Sequence, residues 1–262
     1  MMNYHFFDYK YNIANFTSDL FSTPHLIYIG LVFVLGILIS WLLRKTAHSK
    51  ITVLLKVLFV FSALMEIGKI SWESYYDITT GRGFNVGGIL PIYTCSLYIF
   101  TLPFAAWGRG RVKRTALAFL TTIGLLYGGI GVIYCNGLNF YPFWTFGAFY
   151  SLYFHSAMFV TGVFLLMTGY HKLKWADALW CMIPILLLCL VAIPVNHKLG
   201  SDYMLIYSGG GVPIYEDLSA RLAAKGLRFV YTILMILTHI PLAALVIGIY
   251  QLIRKVCCRH ER

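Results

Sequence analysis

Residues 87–97 read GGILPIYTCSL, with Cys95 four residues after a proline and inside a long apolar run. A thiol in hydrocarbon fills space, but a thiol beside an imidazole is a nucleophile. The ring accepts the thiol proton, and the thiolate attacks a carbonyl to give an acyl-enzyme. Two imidazoles stand in apolar runs, His155 in SLYFHSAMF and His239 in a later one. Ionisable groups at such positions are costly, and each asks for a reason. Lys56 lies near the end of its run and snorkels to the surface. Glu66 and Lys69 stand three apart, the spacing of a local helical pair. Glu66 is also a candidate to orient an imidazole, and Lys69 to attract a lipid phosphate. Asn196, Asp202 and Tyr203 follow the sixth apolar run, and Asn196, like Glu66, is a candidate to orient the imidazole or to help bind an oxyanion. No H-E-x-x-H or comparable spacing marks a metal site, and no C-x-x-C pair marks zinc.

These side chains need a scaffold, and composition names its class. Of 262 residues, 59% are hydrophobic and only 12% charged, about half the charge usual in a soluble domain. The net charge of +11 is spread in short clusters between apolar runs, the pattern of a polytopic membrane protein rather than of a nucleic-acid binder. A helix needs about 20 apolar residues to cross roughly 30 Å of hydrocarbon. Seven segments qualify: residues 25–43, 51–70, 88–107, 115–135, 147–169, 178–195 and 229–253. The expected fold is all-α, a polytopic integral membrane protein built as a seven-transmembrane-helix bundle. Residues 1–24 form an external N-terminal segment, 25–253 a single transmembrane domain and 254–262 a basic cytosolic tail. Thirteen of the 21 Lys and Arg fall in residues 44–50, 108–114, 170–177 and 254–262. The positive-inside rule puts those segments in the cytosol and the N-terminus outside. Cys257 and Cys258 are then two cytosolic thiols. Gly124-x-x-x-Gly128, with Gly129 and Gly131 after it, is a close-packing pattern that serves a bundle or a dimer. In the long sixth connector, Leu218 and Leu222 share one face of a short interfacial helix.

This arrangement brings the polar groups into one half of the bilayer. Cys95 falls about 10 Å below the outer end of the third span and His155 about 12 Å below that of the fifth. Glu66 lies within about 6 Å of its exit, and His239 about 15 Å into the last span. Pro91 suits a first helical turn, so a helix starting there puts Cys95 one turn in, near the positive helix end. An acyl ester carbonyl of a phospholipid reaches that depth by lateral diffusion.

LPIYTCSLYIF resembles the LP-x-x-x-CSL signature of a family of YwaF-like bacterial membrane proteins and their animal relative, transmembrane protein 164. YPFWTFGAFYSLYFHSAMF, which carries a histidine 60 residues after Cys95, and PVNHKLGSDYMLI resemble two further motifs of that family in the same order. The likeness spans residues 25–253. It implies a seven-helix membrane fold and, through the animal relative, a cysteine-dependent acyltransferase that moves a fatty acyl chain between phospholipids. Carried over, Cys95 is the nucleophile and His155 its partner. The chain departs from the pattern at Tyr93, where bacterial members often have histidine, and at Asp202–Tyr203, where the family's loop has Asn-Tyr.

The leading expectation is a membrane-embedded acyltransferase or lipid hydrolase acting on phospholipid acyl esters through Cys95 and His155. Glu66, Lys69, Tyr93, Asn196, Asp202, Tyr203 and His239 are the supporting or substrate-binding candidates. The alternatives are a small-molecule transporter, whose polar path would use Glu66, His155 and His239, and a non-catalytic membrane assembly factor. Membrane lipids are the expected partners. No cofactor, metal, nucleic acid or protein partner is expected, and a bacterial cell membrane is the expected location.

Overall fold

The computed structural model describes residues 4–13, 15–84, 86–210 and 212–259, with side chains to residue 256. Cys257 and Cys258 as thiols, and the end of the basic tail, lie outside the described residues. The helices are α1 (Thr23–Leu42), α2 (His48–Thr79), α3 (Val86–Ile89), α4 (Leu97–Trp107), α5 (Gly110–Thr121) and α6 (Ile123–Ile133). They continue as α7 (Phe146–Met167), α8 (Asp177–Trp180), α9 (Met182–Leu199), α10 (Pro213–Ala224), α11 (Arg228–Leu237) and α12 (His239–Arg259). No strand occurs among the described residues. A backbone in lipid must satisfy its own hydrogen bonds, which is why long apolar segments take this form.

Six helical stretches are long and apolar enough to cross a membrane: Thr23–Leu42, His48–Thr79, Gly110–Asn139, Phe146–Met167, Asp177–Leu199 and Arg228–Val256. The third expected segment differs. Its regular helix is α4, eleven residues long, and the expectation that this helix begins at Pro91 is corrected. Pro91 and Ile92 lie in an irregular segment, and Cys95 lies in the turn before α4. Proline disfavours helical backbone at the residue before it, and the freed backbone groups of this segment find a partner elsewhere in the chain, described below.

The chain forms two compact units, one of Met1–Phe84 with Gly124–Lys172, the other of Asn85–Ile123 with Leu173–Arg262. In the first unit α1 and α6 pack on α7. Gly36 of α1 lies against Val160 and Phe159, and Gly128 of α6 against the backbone of His155 and Phe159. The glycine pattern of α6 thus serves packing within the chain. His25 ties α1 to α6: its Nδ1 accepts from the Phe21 N–H at 3.0 Å, and its Nε2 donates to the Val132 carbonyl at 2.9 Å. Residues before α1 fold onto one end of this unit. The Phe146 N–H donates to the Phe6 carbonyl at 2.6 Å, and the Trp72 indole to the Phe7 carbonyl at 2.9 Å. Tyr9 is buried there among Trp72, Tyr76, Tyr141 and Leu152. Burial, with Glu73 and Asp77 near, raises its phenol above the ordinary range.

In the second unit α4 and α5 form a tight hairpin. Gly108 closes α4 where a side chain would run into the Phe104 carbonyl. Arg114 of α5 pairs with the buried Asp177 at 2.9 Å, and Asp177 also accepts the Lys174 N–H at 2.8 Å. Gln251 of α12 donates to the Leu173 carbonyl at 2.8 Å. One end of the unit therefore gathers Arg109, Arg111, Lys113, Arg114 and Lys174. The opposite end carries the Cys95 turn and the loop after α9. The short helix expected in the long connector is α10, anchored by the Ser219 hydroxyl on the Tyr207 carbonyl at 3.0 Å.

Candidate functional site

Cys95 sits in a run of three-residue turns that feeds α4. The N–H groups of Ser96, Leu97 and Tyr98 donate to the carbonyls of Tyr93, Thr94 and Cys95 at 3.0, 3.3 and 3.0 Å. These i→i+3 bonds are the tight geometry usual at a helix start. They leave a half-buried thiol two residues ahead of α4, where the positive end of the helix favours a developing thiolate.

The loop after α9 holds this turn. Backbone polar groups outside a regular helix need partners from elsewhere when they are buried, and here Tyr203 supplies them. Its hydroxyl accepts from the Leu90 N–H and donates to the Val86 carbonyl, both at 3.1 Å, so one group satisfies both sides of the helix break. Its ring meets Tyr93 edge-on at 4.8 Å, and the Thr94 hydroxyl reaches the Met204 sulfur at 3.4 Å. Asn196 in turn holds Tyr203. Its Nδ2 donates to the Tyr203 carbonyl at 3.0 Å, and its Oδ1 accepts the Tyr203 N–H at 2.8 Å. Met204 and Leu205 both take left-handed backbone, with φ of 63° and 57°, a strain of about 1–3 kcal/mol each. The Tyr231 and Thr232 hydroxyls offset it by donating to the Leu205 and Ile206 carbonyls at 2.9 and 2.8 Å. Asp202 accepts from the Tyr207 N–H and the Ser208 hydroxyl at 2.8 and 3.0 Å. A carboxylate thus organises the loop.

Asn196→Ala strips both partners from a buried peptide, at about 1–3 kcal/mol per orphaned group. The midpoint of thermal unfolding, followed in detergent by circular dichroism, should fall by roughly 5–15 °C. An unchanged midpoint would show that Asn196 does not hold the loop.

His155 is positioned in the first unit, four residues after Ser151 on α7. Its Nδ1 lies 2.8 Å from the Ser151 carbonyl. A carbonyl only accepts, so Nδ1 carries the proton and the neutral ring keeps its lone pair on Nε2. That is the tautomer a general base needs. Gly131 makes room for the ring, since a Cβ there would overlap the imidazole. His25, by contrast, commits both nitrogens to backbone and is structural.

Glu66 and Lys69 fall together, but not as a simple pair. The Tyr150 hydroxyl donates to Glu66 Oε2. Lys69 Nζ is 3.1 Å from Glu73 Oε2 and 3.9 Å from Glu66 Oε1, so its nearer carboxylate is one full turn on rather than three residues back. His239 is buried between α11 and α12, its Nδ1 3.1 and 3.0 Å from the Met235 and Ile236 carbonyls. The structure gathers Tyr93, Asn196, Asp202 and Tyr203 around the Cys95 turn. His155, Glu66 and Lys69 belong to the other unit. Sequence reasoning missed Ser151 and Tyr150, and gave Gly131 a packing role without its link to His155. The first stands one helical turn before His155 and was legible by spacing.

An all-helical chain with six apolar helices of spanning length is a multi-pass integral membrane protein. The TMEM164 family model matches residues 20–250, and the chain belongs to that family. No curated protein and no solved structure matches the chain.

Proposed function

We propose that this protein is a membrane-embedded acyltransferase that works on phospholipid acyl esters through Cys95 and His155. His155 Nε2 takes the Cys95 proton, and the thiolate attacks the ester carbonyl. The tetrahedral intermediate collapses, the C–O bond breaks, and the imidazolium returns its proton to the departing glycerol oxygen. The acyl chain is then a thioester on Cys95. An acceptor hydroxyl, deprotonated by the same nitrogen, attacks the thioester and restores the thiol. With water as acceptor the same steps give a lipid hydrolase. The observation that carries the reading is the Nδ1–H bond to Ser151, because it leaves on His155 the one lone pair the chemistry requires. Membership of the family supports it.

The wider frame is part of the proposal. It has a single seven-span domain over residues 25–253, with α4 and its preceding turns as the third span. The N-terminus is external and the basic tail cytosolic, and the location is a bacterial cell membrane. Lys69, held between two carboxylates, is a weaker phosphate anchor than a lone lysine, and substrate contact falls to Tyr93 and the loop beside it.

Incubating the purified protein with an acyl-labelled phospholipid should give a hydroxylamine-sensitive adduct that Cys95→Ser cannot form. Full activity in both Cys95→Ser and Cys95→Ala would overturn the mechanism. Substrate flux in proteoliposomes, indifferent to Cys95, would favour a transporter instead.

A further inference from the structure

We infer that a groove in the second unit is a binding site for an anionic phospholipid, separate from the acyl-transfer chemistry. The groove has a volume of about 570 Å³, within the range of about 300–1,000 Å³ usual for ligand pockets. Leu97, Phe100 and Phe104 of α4, Ala116 of α5 and Leu187 of α9 give it an apolar wall. From Leu97 to Phe104 that wall runs about 10 Å along the helix axis, long enough to seat several methylenes of an acyl chain.

The occupant is named by the charge at one end. Arg111 is the charged side chain among the lining residues, and it lies at the end where Arg109, Lys113 and Arg114 cluster. Arg114 is engaged by Asp177 at 2.9 Å, which leaves Arg111, exposed at the rim, as the cation facing the groove. Trp180 lines the same mouth, with the Arg114 guanidinium 5.4 Å from its ring. Tryptophan and basic residues together mark the headgroup level of a membrane, and basic pockets between transmembrane helices are built to take anionic headgroups. A phosphodiester therefore meets Arg111 while one chain lies along α4. A zwitterionic lipid fills the same groove with less gain, since its cationic group offsets the phosphate.

The full-length protein in detergent is titrated with phosphatidylglycerol brominated in its acyl chains, and separately with phosphatidylcholine of the same chains. Quenching that is lost in Trp180→Phe reports the groove. We expect about fivefold tighter binding of the anionic lipid, the worth of one basic residue near a membrane surface. Arg111→Ala should abolish the preference, and Val112→Trp, which fills the rim from an exposed position, should weaken both lipids. Glycerol phosphate alone should not displace the bromolipid. Equal quenching by the two lipids, a preference that survives Arg111→Ala, or displacement by glycerol phosphate would each overturn the site. The readout is binding without turnover, so its failure leaves the acyl-transfer reading untouched, and the reverse holds.

Discussion

His155→Asn is expected to lower acyl transfer by about 10²–10⁴-fold, the range a positioned general base contributes, while leaving the protein folded. The substitution removes one ring nitrogen and keeps the other's role. An asparagine amide nitrogen stands close to where histidine has Nδ1, so the donor to the Ser151 carbonyl is kept. No atom replaces Nε2, and with it goes the lone pair to which the proposed mechanism assigns the Cys95 proton. Steady-state transfer between phospholipids in detergent, alongside thermal unfolding of the same preparation, separates the two effects. A large loss of turnover with an unchanged unfolding midpoint fits a base. A parallel loss of both would make His155 a packing residue.

The second large effect is expected at a residue with no functional group. Gly131→Ala puts a methyl group where the His155 ring lies, and moving α6 away would give up the close seating of Gly128 on the backbone of His155 and Phe159. Overpacking of this kind costs about 1–3 kcal/mol, and the ring, as the movable partner, is expected to turn away. Turnover should fall by about 10²-fold, the effect of misplacing a catalytic group by about 1 Å. Gly30→Ala is the control, since a Cβ there meets nothing within 4 Å. Loss of activity in both variants, or in neither, would contradict a positioning role for Gly131.

The spans were legible because length and hydropathy encode them locally. Residues 25–43 and 147–169 correspond to Thr23–Leu42 and Phe146–Met167 within a few residues. The break before α4 was not legible, because Pro91 fits either a helix start or a helix stop. Tyr203 decides between them from more than a hundred residues away, by taking the Leu90 N–H and the Val86 carbonyl. Glu66 and Lys69 show a milder form of this. Their spacing predicted a pair, and it forms at 3.9 Å, but Tyr150 from α7 and Glu73 one turn on are the nearer partners and were not foreseen. Asn196 looked like an oxyanion donor by type, and its amide instead clamps the Tyr203 backbone. Residue chemistry is local and partner choice is tertiary. The identities of Cys95 and His155 as candidates came from the first, the tautomer of His155 from the second.

The central claim is that the His155 imidazole makes a nucleophile of Cys95, and pre-steady-state acylation reads that step alone. Wild-type protein and His155→Asn are mixed with an excess of acyl-labelled phospholipid, quenched over time, digested, and the label on the peptide containing Cys95 is measured by mass. Label should build up on Cys95 at least as fast as turnover in the wild type, and more slowly in His155→Asn by the factor seen in turnover. Label on another residue, or acylation of Cys95 at the wild-type rate without His155, would contradict it.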